Sequence, residues 1–216
     1  MNGTGPGWWA VARAAGIVAW VLATGSVVWG TWVSTRFTRR PSAAWVLDVH
    51  RFLGGSTVAF VGLHLGALVA DSYVHFGAAD ILVPFAAGWR PVPVAFGVCS
   101  FWLLIAVETT SLAMRRLSRR LWRVVHQGAY GCWGLATLHT LTAGTERAHP
   151  LARLVALASV LLVGGLSTVR VLTARHAARH RSPRARAAVG TATAAAARRT
   201  GAAAPARPRA GTAARG

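Results

Sequence analysis

The chain has 216 residues, 54% of them apolar and only 13% charged, with a formal net charge of +19. A soluble domain carries about a quarter charged residues, so a single water-soluble globule is excluded. All 24 basic residues are arginine, and they stand between long apolar runs and in a tail, which marks a membrane protein and argues against a nucleic-acid partner.

Residues 1–8 are expected to be an extracytoplasmic lead-in. The run 9–32 is the first of five long enough to cross a bilayer, which takes about 20 residues of helix. It lacks a basic n-region and is too long for a signal-peptide core. Arg36, Arg39 and Arg40 follow it. The second run, 44–70, carries HRFLGGSTVAFVGLH, with His50 and His64 in apolar surroundings. Residues 74–91 (VHFGAADILVPFAAGWRP) are too apolar for a solvated loop and too broken by proline to span, which predicts an interfacial or re-entrant cap on the outer face. The third run, 93–114, contains Glu108, the one acid well inside a span. Arg115, Arg116, Arg119 and Arg120 come next, with Arg123 just beyond. The fourth run, 122–143, carries HQGAYGCWGLATLH, with His126 and His139, and the fifth is 151–173.

Residues 9–174 are thus predicted to form an all-α integral membrane bundle of about five helices. Residues 175–216 hold ten arginines and no acid, leaving +9 on the first 174. From residue 181 the composition is Ala/Arg/Pro/Gly/Thr-rich without periodicity, which predicts a disordered tail lying on anionic lipid. The arginine-rich connectors alternate with poor ones carrying Arg90 and Arg147, and the positive-inside bias puts the N-terminus outside and the C-terminus in the cytoplasm. Trp45, Trp89 and Trp122 fall near span ends, where indole rings favour the interface. Cys99 and Cys132 form neither a disulfide framework nor a metal pair and read as small buried hydrophobes.

Spans two and four run in the same direction, so His50 and His126 share one depth near the cytoplasm, and His64 and His139 another near the outside. The interval of 13 or 14 residues is about 20 Å of helix rise. Two imidazole pairs at matched depths suit two stacked b-type haems, each with both axial positions filled. Such a haem passes electrons rather than binding gas. Fourteen residues return His64 to within about 40° of His50 around the helix. Thirteen leave His139 about 140° from His126, which predicts a locally overwound, 3₁₀-like stretch in span four. Gly128, Gly131 and Gly134 would permit it. Glycines 54, 55, 62 and 66 on span two, like those on span four, fit close porphyrin approach or helix packing equally well. His75, His149, His176 and His180 are expected in solvated positions.

The strings HRFLG…LH and WRVVH…Y…W…LH followed by TAGTE resemble the ferric reductase-like transmembrane domain family. It includes ferric reductases, NADPH oxidases and the haem subunit of bacterial periplasmic methionine sulfoxide reductase systems. The resemblance covers residues 45–146 and includes the 14-then-13 histidine spacing. It implies haem b held by His50 with His126 and by His64 with His139, with electrons entering on the cytoplasmic side of a bacterial cytoplasmic membrane and leaving outside. The implied donor is a flavoprotein or quinol. The implied acceptor is a ferric chelate, a flavin-bearing protein or a reductase subunit. The reductases and oxidases carry a fused flavin and nicotinamide domain, whereas this sequence shows no Gly-rich dinucleotide fingerprint, and it has five expected spans where the oxidases have six. The expectation is therefore a stand-alone haem subunit with no NAD(P)H chemistry of its own.

Arg51 follows His50 and Arg123 precedes His126 by three. Both are candidates for pairing with haem propionates, or else positive-inside anchors. Glu108 is a candidate for proton coupling, with a salt link to a nearby arginine the favoured expectation. Tyr130 and Trp133 lie on the histidine-bearing span and read as packing residues. Two rival functions use the same features: a haem-free transporter or proton conductor relaying through the histidines, and a membrane anchor whose arginine tail recruits nucleic acid.

Overall fold

A computed structural model of the chain describes residues 7–34, 43–71, 76–144 and 150–201. Arg36, Arg39, Arg40, His75, Glu146, Arg147, His149 and the last fifteen residues lie outside the described residues. Six helices follow in order: α1 (Gly7–Ser34), α2 (Ala43–Ala70), α3 (Ala78–Leu82), α4 (Pro91–Leu112), α5 (Arg119–Ala143) and α6 (Pro150–Gly201). No strand occurs among the described residues. The chain is an all-helical membrane bundle.

Local chemistry sets the ends. Pro91 and Pro150 open α4 and α6, where a missing N–H costs nothing. Ser118 caps α5, its hydroxyl accepting the N–H of Leu121 at 3.2 Å. Hydroxyls inside the helices donate to the carbonyl four residues back, as Thr57 does to Leu53 and Thr110 to Ala106. They reach no water in an apolar medium and so must be satisfied within the helix.

Four helical segments are long and apolar enough to cross a membrane: α1, residues 44–70 of α2, α4, and Pro150–His176 of α6. The fifth expected span, α5, has the length but not the hydropathy. Its 25 residues carry Arg119, Arg120 and Arg123 at the start, then two histidines and three threonines. The three arginines stand exposed at its first turns, and several of its other polar side chains face neighbouring helices. Trp20 Nε1 of α1 donates to Thr137 Oγ1 (3.0 Å), Trp133 Nε1 of α5 donates to Thr24 Oγ1 (2.9 Å), and Thr31 and Tyr130 share a hydroxyl contact at 2.8 Å. Ser100 of α4 donates to the Cys132 carbonyl at 2.9 Å. The outward surface is apolar instead, with Phe52, Leu63, Val69, Leu112, Leu154 and Leu161 exposed, as contact with lipid requires.

The bundle is two hairpins. α1 packs along α2, and α4 along α5; α1 also lies against α5, and α2 touches α4 more sparsely. Ala12, Ala15 and Ala19 are buried on α1, where small side chains let backbones approach. The buried Trp20–Thr137 bond gives a first expectation. Thr137 donates its own proton to Trp133 O at 2.8 Å, so it serves Trp20 purely as acceptor. Thr137→Val leaves the indole N–H without a partner and should cost about 1 kcal/mol. Thr137→Ser should cost little, as thermal unfolding of the detergent-solubilised chain would measure.

Residues 76–90 form the expected cap, at the end of the bundle where α1 begins and α5 finishes. Trp102 Nε1 donates to Leu82 O (2.9 Å), and Arg90 donates to Thr142 O (2.9 Å) while its guanidinium covers the Trp89 ring. These contacts hold Arg90 in the left-handed region, at φ 44°, which non-glycine residues rarely adopt. Trp89 also meets Trp9 and Phe76 edge-on.

Residues Met1–Arg170 form one compact unit and Val171–Gly216 another, close to the predicted boundary at 174. Within the second, the backbone is helical as far as Gly201, so the expected disorder does not hold for 181–201. Alanine and arginine are among the strongest helix formers, and a segment without apolar periodicity still winds when its residues favour the helix individually.

Candidate functional site: two facing imidazole pairs

The four intramembrane histidines meet as two pairs. The rings of His50 on α2 and His126 on α5 have centroids 5.9 Å apart, and those of His64 and His139 are 6.4 Å apart. Two nitrogens placed trans on one metal, each about 2 Å from it, put imidazole centroids about 6 Å apart. Both pairs have that separation. Both pairs also bridge α2 and α5, which are not among the closely packed helix pairs.

The outer nitrogens are all engaged. His64 Nδ1 lies 2.7 Å from Ala12 O, and His139 Nδ1 lies 2.8 Å from Pro93 O. A carbonyl can only accept, so each Nδ1 carries the proton and each Nε2 keeps its lone pair. His126 Nδ1 is 3.3 Å from Ser111 Oγ, whose own hydrogen goes to Val107 O. Ser111 must therefore accept, which assigns the same tautomer. His50 Nδ1 is 3.3 Å from Ser26 Oγ. Anchoring the far nitrogen of an imidazole orients the ring and raises its basicity toward a metal.

Three glycines make room for these rings. A Cβ on Gly97 would stand 2.8 Å from His139 Nδ1, one on Gly16 would stand 3.0 Å from His64 Nδ1, and one on Gly30 would stand 3.2 Å from His50 Cε1. Gly16 and Gly30 are fourteen residues apart, matching His50 and His64 on the antiparallel neighbour. Gly97 and Ser111 repeat the interval on α4 beside His139 and His126. Sequence reasoning missed this set because it looked for glycines on the histidine helices themselves. The fourteen-residue recurrence of small residues on the neighbouring runs was the available signal. Of the glycines it did single out, Gly128 and Gly131 pack on Leu103, Gly54 meets Glu108, and Gly55, Gly62, Gly66 and Gly134 face open space.

A mostly apolar cavity adjoins the His64–His139 pair, walled by residues such as Trp20, Val61, Leu65, Val98 and Leu104, with Phe76 and Trp89 of the cap also on its lining. Arg13 and Asp80 are the charged residues on its lining. At the other pair, Trp122 stacks on His126 with centroids 4.9 Å apart and planes 22° from parallel.

α5 stays regular α-helix through both of its histidines. The expected 3₁₀ stretch is absent, and side-chain torsions and helix packing absorb the 13-residue offset. Arg51 lies 4.0 Å from Asp48 with its side chain 62% exposed, and Arg123 is exposed and donates to Arg119 O. No contact among the described residues joins either arginine to an imidazole. No arginine among them pairs with Glu108, whose carboxylate lies against Gly54 instead, so the favoured salt link does not form. Tyr130 and Trp133 bond to α1, as packing residues would, and Cys99 and Cys132 are free thiols.

Among the described residues no three His, Cys, Asp or Glu side chains converge as a bare metal ion would need. Paired imidazoles suit a metal whose other four positions are filled by a macrocycle. Comparison of the chain with protein-family models, with curated proteins and with solved structures found no match.

Proposed function

We propose that the chain carries electrons across a bacterial cytoplasmic membrane, with one b-type haem between His50 and His126 and a second between His64 and His139. The observation that carries the reading is the geometry of the pairs: rings about 6 Å apart, each Nδ1 bonded to a neighbouring helix, and Nε2 of His64, His126 and His139 left as the base. When bound, each haem would supply a one-electron centre held by its two imidazoles.

The chain's own residues supply the rest. Ala12 O, Pro93 O, Ser26 and Ser111 orient the imidazoles, and Gly16, Gly30 and Gly97 let helices approach them. The cavity wall around His64 and His139 is mostly apolar. The two pairs are fourteen residues of α2 apart, about 20 Å of rise, so they divide the thickness of the hydrocarbon between them. The arginine-rich connectors favour His50 and His126 on the cytoplasmic side. A flavoprotein or quinol is the donor that side would meet. A ferric chelate, a flavin-bearing protein or a reductase subunit would be the acceptor outside. In this reading the chain is a stand-alone member of the ferric reductase-like transmembrane group.

Protein purified after haem-replete expression is expected to show a Soret band, a reduced α-band and two haems per chain by pyridine haemochrome assay. A colourless protein would overturn the reading in favour of a haem-free proton conductor.

A further inference from the structure

Arg170 lies within the apolar segment Pro150–His176 of α6, about 30 Å of helix rise from Pro150. That rise is about the full hydrocarbon thickness, so Arg170 stands toward the far end of the span from Pro150, where it is partly buried. Its Nη1 donates to Tyr130 Oη at 3.0 Å, and Tyr130 Oη is 2.8 Å from Thr31 Oγ1. Thr31, only 2% exposed, donates its own proton to Val27 O at 2.7 Å. The proton order is then settled by elimination. Arg170 donates to Tyr130, Tyr130 to Thr31, and Thr31 to Val27 O. The chain of donors crosses from α6 through α5 to α1 and cannot reverse, because arginine has no acceptor. It holds a positive charge against the hydroxyl of Tyr130, which is one helical turn after His126 on the same helix. Arg170 lies within electrostatic range of His126, whereas Arg51 and Arg123, the arginines nearest the histidines in sequence, are exposed at the surface.

We infer that Arg170 is a positioning residue for the His50–His126 centre, its fixed charge raising the reduction potential of the group held there and leaving the His64–His139 centre alone. This rests on the electron-carrier reading above. The sign follows from charge: ferric haem is one unit more positive than ferrous, so a neighbouring cation disfavours the oxidised form. Tyr130 acts through Arg170 by holding the guanidinium in place.

The test is a redox titration of the full haem-loaded chain, followed at the reduced α-band, with His126→Ala identifying which potential belongs to which pair. Arg170→Gln is expected to shift the potential of the His126-dependent centre negative and leave the other unmoved. Arg170→Lys should recover most of the shift, and Tyr130→Phe should move the same centre in the same direction by less. Two loaded centres with unchanged potentials in Arg170→Gln would overturn the assignment, as would an equal shift of both. Should Arg170→Gln fail to accumulate, an unmoved potential in Tyr130→Phe overturns it as well. Wild-type chain without haem would instead sink the electron-carrier reading on which it stands.

Discussion

Alanine in place of His64 or of His139 is expected to erase one haem centre, and alanine in place of His50 or of His126 to erase the other. The rings of each pair sit 6.4 and 5.9 Å apart and belong to different helices, so losing either ring removes one of the two residues that would hold the group at one site. The distant pair keeps both of its rings and their outer anchors. Each single variant should therefore lose roughly half of the low-spin α-band and one of two waves in a redox titration. The two variants of a pair should match each other, and a double variant within a pair should add little, because both act on one site. Variants drawn from different pairs should add fully and give colourless protein. Loss of both centres from every single variant would contradict the pairing by depth.

Gly97→Ala should imitate His139→Ala although it touches no ligand atom covalently. A methyl group there would stand 2.8 Å from His139 Nδ1 and 2.9 Å from Cε1, closer than real side chains approach. The ring cannot simply swing aside, because its Nδ1 proton is committed to Pro93 O at 2.8 Å. Moving it gives up that bond and the alignment with His64. Loss of an outer anchor of this kind typically costs 10–100-fold in metal affinity, and haem retention through gel filtration would report it at the His64–His139 site alone. The series should be graded by clearance. Gly16→Ala, at 3.0 Å from His64 Nδ1, comes next, then Gly30→Ala at 3.2 Å from His50 Cε1. Gly66→Ala, with nothing within 4 Å, is the control. Full retention of both centres in Gly97→Ala would remove the clearance argument.

The pairing was legible in the chain because depth along a helix is read directly from residue number. His50 and His126 stand at corresponding points after arginine-rich connectors, and two parallel helices preserve that correspondence. The outer anchors were not legible in the same way. Ala12, Pro93, Ser26 and Ser111 lie on helices without a histidine, and which face of α1 meets α2 is decided by packing. Arg51 and Arg123, near the histidines in sequence, stand exposed, while Arg170 of α6 bonds to Tyr130, forty residues earlier on the histidine-bearing helix. Hydropathy understated α5 for the opposite reason. Thr137 and Tyr130 lower the average but bond to α1, His126 and His139 bond to α4, and Thr140 and Thr142 donate to carbonyls of α5 itself. The tail was misread because absence of a pattern was taken as absence of structure.

The two histidines of each pair come from different hairpins, one from α2 and one from α5, and those helices do not pack closely on each other. A group seated between them is a staple as well as a cofactor. Hydrogen bonds from α1 to α5 already join the halves, but each occupied site adds a link across the remaining gap. Assembly and loading then become a single equilibrium. If the proposed haems bind there, free haem would draw the chain toward the closed bundle by mass action, and a cell short of iron would accumulate looser copies, more exposed to proteolysis. The supply of the group would thus control how many copies of the protein persist, as well as how many electrons cross the membrane.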